Sequence, residues 1–502
     1  MDLVIVLQRG SVLAGESVPL EFRLSAGPGP LELPQNIDTS EAVAVALLDA
    51  EGAVLVRADG LARWRRQQPI DAVRREEPSG SMRLEAGETA VWDADLLAYL
   101  DPIAPGRYLV SASFSAAGGE VVVSPSVPLH VRDNHGVWMD VLVDTASMPM
   151  VYVLQQHLGP DGAQTLFQLA TGQRPECFWY GGAIDLPDGA RPLVAEVDFR
   201  TMGAWDHDLE RWGAWLEEGS LRAFRFGMGE ARGGLSSLPT PYPGGALAGR
   251  PIQREDGGLS VLVLSPEPSA WALTRLHFDR ALALRGAELL ARLPSRASPT
   301  ALAAGWDGRT CFLSGEEGSP PVRLVVAEAD GAARSIDVLT AEDIAGPEAP
   351  QGKVHLLSLK IDLKSEWGQR RAILVTALVQ AGIERWLSIV EAPLGADAAP
   401  TGARRSWRVD VDATWLSPDE ALVWADTARD DAGRPVTIVA TSAGRLLHLS
   451  ATGEARVIPG ADPDHLTQSK LVELSGQVIL FHPVAGRGFA ATVLVVPSIR
   501  PR

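Results

Sequence analysis

The chain has 502 residues, of which 46% are hydrophobic and 22% charged. That balance excludes a mainly disordered polymer, and the length exceeds one ordinary domain. Its 63 acidic and 45 basic residues leave a net charge of −18, which attracts neither nucleic acid nor an anionic membrane surface, so neither is an expected partner.

The N-terminus, MDLVIVLQRGS, lacks the basic segment and long apolar core of a signal peptide. No uninterrupted apolar stretch of about 18 residues occurs, so no membrane span is expected. Two cysteines, Cys177 and Cys311, give no disulfide framework and suit a reducing compartment. Cytoplasmic residence is the expectation, with export independent of a signal peptide left open.

Residues 1–132 read as short strands and turns. GESVPLEFRL (15–24) is followed by a Gly-Pro-rich break. VAVALLDAEGAVLV (43–56) places two apolar runs around Asp49-Ala50-Glu51-Gly52, a hairpin signature. MRLEAGETAVWDADL (82–96) and PGRYLVSASFSAAGGEVVVSPSVPLHV (105–131) complete the set. Strand spacing and turn frequency predict a sandwich of two antiparallel sheets. The run from AGE (86–88) through VWDADLLAYLDPIAPGRYLVSASF (91–114) resembles the immunoglobulin-like modules of bacterial multidomain proteins. That resemblance implies a structural or adhesive module, with Tyr108 packed and hydrogen-bonded at a strand corner.

Between these strands lies ARWRRQQPIDAVRREEPSG (62–80), with five arginines around Trp64. It reads either as a basic loop for an acidic partner, anchored by Trp64, or as a solvated connection neutralised in part by Asp71, Glu76 and Glu77.

After residue 136 the period lengthens. Units of three or four short strands are read at 137–185, 191–240, 245–294, 298–341, 352–394, 405–459 and 466–497. A spacing of about 40–55 residues is that of propeller blades. The text is clearest at VTIVATSAGRLLHLSATGEARVI (436–458), where β-branched runs alternate with Gly-containing turns. Period and turn placement resemble the β-propeller superfamily, although its Trp-Asp, kelch and sialidase-type repeat signatures do not occur. The expected fold is therefore all-β: an immunoglobulin-like β-sandwich over 1–132, then a six- or seven-bladed β-propeller over 137–502.

One segment departs from strand text. AWDHDLERWGAWLEEG (204–219) places Trp205, Leu209, Trp212 and Leu216 on one helical face, with Gly219 as a C-terminal cap. A helix is predicted there, either presenting its tryptophans to a partner or packing them inward.

No chemistry-bearing motif emerges. There is no Gly-x-Ser-x-Gly elbow, and GGLSSL (233–238) lacks its second glycine. The nine histidines are scattered, and Asp206-His207-Asp208 would diverge on a helix. DTARDDAGRP (426–435) has the wrong acidic spacing for a calcium loop and reads as a hairpin turn. Prolines after FGMGEARGG (226–234) preclude the helix that a phosphate cradle must open. No catalytic residue, metal ligand or cofactor is assigned.

The expected function is a non-enzymatic protein-binding platform or structural component of a larger assembly. Candidate binding residues are Trp64, Trp179, Tyr180, Trp205, His207, Asp208 and Trp212. The alternatives are a hydrolase or lyase at the channel mouth, built near Trp179, Tyr180, His207 and Asp208, or a carbohydrate binder using exposed tryptophans. The enzyme would require inward-facing carboxylates, histidine or arginine from different blades; a polar, ligand-sized pocket with a perturbed carboxylate would favour it, and a flat apolar face would favour the platform.

Overall fold

The computed structural model describes residues 1–495, except 16–17, 35–36, 38–39, 61–80, 101–102, 117–118, 145–149, 160–161, 172–177, 185, 187–189, 198–210, 218–219, 227–235, 240–244, 255, 295–296, 305–309, 317–318, 329–332, 348, 350–351, 363–370, 403, 412–414, 418, 431, 451–453 and 475–476. It is an all-β protein in which strands dominate, and the helices among the described residues are single turns. Among the described residues, no helix is long and apolar enough to cross a membrane.

Among the described residues, the N-terminal strands form two larger sheets and a two-stranded pair of Leu31–Pro34 with Ser81–Leu84, whose Leu33 and Leu84 join the same core. Asp2–Leu7, Pro19–Ser25 and Thr89–Asp95 make a three-stranded antiparallel sheet. The second sheet runs Ser11–Leu13, Val127–Arg132, Gly106–Ser115, Val43–Leu48, Val54–Asp59, with Val121–Val123 also paired to Gly106–Ser115. Alternation decides which side chains go inward: Leu3 and Ile5 are buried while Asp2, Val4 and Val6 are not, and Leu20, Phe22 and Leu24 alternate with Glu21 and Arg23. These meet Val43, Val45, Leu47, Val110, Ala112 and Phe114 of the second sheet in one core, the arrangement of a β-sandwich. Phe22 stacks on Trp92 at 5.0 Å.

Local chemistry follows the sequence. The Asp49 carboxylate accepts from Glu51 N at 3.0 Å and Ala53 N at 2.7 Å, closing the hairpin with Gly52 at φ +87°. Tyr108 donates its hydroxyl to Ala104 O at 2.9 Å, which ties the strand start to the preceding chain.

From residue 193 to 457, the described residues form five sheets in succession, antiparallel except where Glu196–Val197 pairs parallel with Ile252–Gln253 at the edge of the second. The first contains Leu193–Val194, Arg211–Glu217, Ser220–Phe226 and Ser236–Pro239. The second is built on Leu259–Pro266, Ala270–Phe278 and Leu284–Pro294, with short strands at its edge. The third contains Ala297–Ala304, Thr310–Glu316, Ser319–Ala327 and Ala333–Leu339. The fourth contains Lys353–Asp362, Ala372–Ala381, Glu384–Pro393 and Arg405–Asp410, and the fifth Leu422–Arg429, Pro435–Thr441, Leu446–Leu449 and Ala455–Val457. A further sheet has the strand order Phe178–Ile184, Gly162–Thr171, Met150–Gly159, Asn134–Asp144, Arg487–Val495, Gln477–Val484, Lys470–Leu474. Successive up-and-down meanders of this kind make a β-propeller. Strand Arg405–Asp410 completes the sheet begun at Lys353 and does not belong to the following unit, 405–459, that its sequence suggests.

The chain divides into two compact units. One comprises Met1–Met139, Met148–Asp185 and Phe481–Thr492; the other comprises Asp140–Ser147, Leu186–Leu480 and Val493–Arg502. In the second unit, apolar clusters fill the spaces between consecutive sheets. Leu374, Leu387 and Ile389 of the fourth sheet, for example, meet Ala425, Val439 and Leu447 of the fifth.

The predicted helix at 204–219 is corrected over its described part. Arg211–Glu217 is a strand paired antiparallel with Ser220–Phe226, while 204–210 lies outside the described residues. Trp212 and Ala214 point into one apolar cluster, whereas Trp215 stands edge-on to Phe224 across the other face. Both faces of this strand are buried, so apolar residues occupy both. The resulting 212, 215, 216 spacing imitates a helical stripe.

Candidate functional site

Of the sequence-derived binding residues, Trp179, Tyr180 and Trp212 lie among the described residues. Trp64, Trp205, His207 and Asp208 lie outside the described residues. Trp179 and Tyr180 fall in strand Phe178–Ile184, with the Tyr180 backbone opposite Leu169. Trp212 is buried, and the Arg225 guanidinium lies 4.3 Å from its ring centroid. The half-buried Arg225 also donates from Nη2 to Arg280 O at 2.7 Å.

What the structure brings together is a polar centre that spacing did not reveal. The first strands of consecutive sheets, Ala297–Ala304, Lys353–Asp362 and Leu422–Arg429, pack side by side, followed by Lys470–Leu474. Lys360 Nζ lies 2.7 Å from Asp426 Oδ1 and donates to Leu471 O at 3.0 Å. Asp426 Oδ2 accepts from Leu471 N at 2.8 Å. One carboxylate thereby links three neighbouring strands. Beside it, the hydroxyls of Thr376, Thr427 and Thr437 form a buried chain with spacings of 2.7 and 3.0 Å. Toward the strand ends, Arg429 Nη1 reaches Glu391 Oε1 at 3.4 Å and its Nε reaches Glu473 Oε1 at 3.7 Å. Glu391 is buried, and its Oε2 has no hydrogen-bond partner among the described residues.

Chemically, this centre is a clasp. Each of its cations is engaged by a carboxylate, and the bonds run from one sheet to the next. Among the described residues, no group of three or more His, Cys, Asp and Glu side chains is placed to hold a metal ion. An open groove lined by Ala392, Pro393, Pro400, Thr401, Gly402 and Arg404 lies on the fourth sheet. Its one cation, Arg404, is held by Asp343 and Val338 O.

Another ion pair ties the fifth sheet to the segment before it. Arg445 Nε donates to Glu420 Oε1 at 2.9 Å, its Nη2 donates to the other carboxylate oxygen, and Nη2 also reaches Trp415 O at 2.9 Å. The Arg445 hydrogen bonds hold the Glu420 carboxyl down to about 2 against its burial, aided by Thr441 and the Ser417 backbone N–H. The folded value lies below the ordinary 4.5, so the stabilisation is complete above about pH 4.5 and is lost as pH falls toward 2. Glu420→Gln should therefore cost about 2 kcal/mol at neutral pH and flatten stability between about pH 5 and pH 2. Urea unfolding across that range checks it, and an acid limb identical to the parent's would refute it.

One run of exposed aliphatic side chains lies on a sheet edge of the sandwich. Val54–Asp59 is the last strand of the second sheet, and no described strand pairs beyond it. Val56 stands opposite Leu47, a core residue, and so shares the core-facing side; yet Val54 is 60% and Val56 42% exposed. Leu55, at the register shift between Leu47 and Leu48, is 55% exposed. Arg57 anchors the strand by donating to Ser113 Oγ at 2.8 Å. Three consecutive large aliphatic side chains on a sheet edge form a surface suited to another polypeptide.

No family model matches the chain, and no curated protein matches it. Among solved structures it is similar to an ancestral GH74 enzyme, at TM-score 0.35 and 11% identity, covering 97% of this chain and 65% of that one. It is also similar to the Nup133 β-propeller domain of Vanderwaltozyma polyspora, at TM-score 0.36 and 10% identity, covering 71% and 99%. A NanB sialidase variant from Streptococcus pneumoniae gives TM-score 0.29 and 10% identity, covering 70% and 62%. The chain thus spans just under two-thirds of the GH74 and sialidase chains, and the similar structures include enzymes as well as a propeller domain.

Proposed function

We propose that this protein is a non-enzymatic protein-binding platform, a structural component of a larger assembly, and that it docks a partner protein on the strand Val54–Asp59. The observation that carries this reading is the exposed run Val54-Leu55-Val56 at the edge of a sheet that is otherwise buried on its inner side. Exposed aliphatic side chains gain by burial against a partner, at roughly 25 cal/mol per Å2. An edge strand also offers backbone donors and acceptors in register. The net charge of −18 favours a protein over a nucleic acid as the occupant.

The test is a double substitution, Val54→Asp with Val56→Asp. Both side chains are largely exposed, so thermal stability should move by no more than about 0.5–1 kcal/mol. Partners that co-purify stoichiometrically with the parent chain from its native lysate should be lost. Retention of the same partners at the same yield by the doubly charged, folded variant would sink the proposal.

A further inference from the structure

We draw no further inference here: the strongest candidate, the Ser260–His277–Glu288 cluster on one face of the sheet built on Leu259–Pro266 and Ala270–Phe278, keeps its serine buried against the imidazole at 3.0 Å and its carboxylate 4.0 Å from the ring, too far to orient it, so it carries no more than a cross-strand hydrogen bond within the sheet.

Discussion

Replacing Arg250 with alanine is expected to destabilise the unit containing Leu186–Leu480 by about 3–5 kcal/mol, the range for removing one partner of a buried ion pair. The Asp140 side chain is only 4% exposed, and both of its oxygens are engaged by the Arg250 guanidinium, the Nη2–Oδ1 contact at 2.6 Å. The same guanidinium donates to Val141 O at 2.7 Å and Val194 O at 3.2 Å, while Val194 N donates to Asp140 Oδ2 at 2.9 Å. Truncation would leave a buried carboxylate with one backbone donor and two carbonyls stripped of a charged donor. Arg250→Lys should recover only part of the loss, because an ammonium cannot span both carboxylate oxygens and both carbonyls. The paired change Asp140→Asn with Arg250→Met should be milder than Arg250→Ala alone, since it removes the stranded charge. Urea unfolding followed by tryptophan fluorescence reads all three. An Arg250→Ala protein within about 1 kcal/mol of the parent would refute the account.

How far the sequence disclosed this structure depended on how local the determining interactions were. The hairpin at 43–56 was legible because Asp49 and Gly52 make their turn contacts within four residues. The meander at 436–458 was legible for the same reason, with Gly444 at φ +75° in the Thr441–Arg445 turn. DTARDDAGRP is the hairpin turn it was read as: Asp430 Oδ1 accepts from Ala432 N and Arg434 N, and a second oxygen takes Arg434 Nε. Strand Arg211–Glu217 was misread because burial of both faces erases the period of two that marks a half-buried strand.

The polar centre was hidden for a different reason. Lys360 and Leu471 are 111 positions apart, and Arg429 and Glu473 are 44 apart, so no motif spacing could pair them. The strands did carry a signal. Lys360 interrupts the apolar run LLSLKI within KVHLLSLKID, and Glu391 the run WLSIVEA within ERWLSIVEAP. An ionisable residue in an otherwise apolar strand needs a partner, and that rule identifies candidates although it cannot say who meets whom. The uncovered valines were illegible altogether. Val45 and Val56 sit in similar alternating text, and the difference between them is that Val43–Leu48 is paired on both sides whereas Val54–Asp59 ends the sheet.

The second large effect is expected at Asp426, where alanine should cost about 2–4 kcal/mol. The lower end of that range allows for the partly exposed Lys360 side chain. The loss has two parts. Removing the carboxylate strips Leu471 N of its acceptor and leaves the Lys360 ammonium with a carbonyl alone. It also cuts the link that runs from Lys353–Asp362 through Leu422–Arg429 to Lys470–Leu474. Asp426→Asn separates these parts. The amide can still accept from Leu471 N but no longer pairs with an ammonium, so its cost should be about half that of alanine. Hydrogen exchange gives the sharper readout. If Asp426 clasps neighbouring sheets, protection should fall at Leu471 in both variants, most in Asp426→Ala, while the Tyr108 corner of the other unit keeps its parent rates. Uniform loosening of both units, or no change at Leu471, would mean that the carboxylate is a passive occupant of the interior. The ordering of the sheets would then rest on apolar packing between them alone.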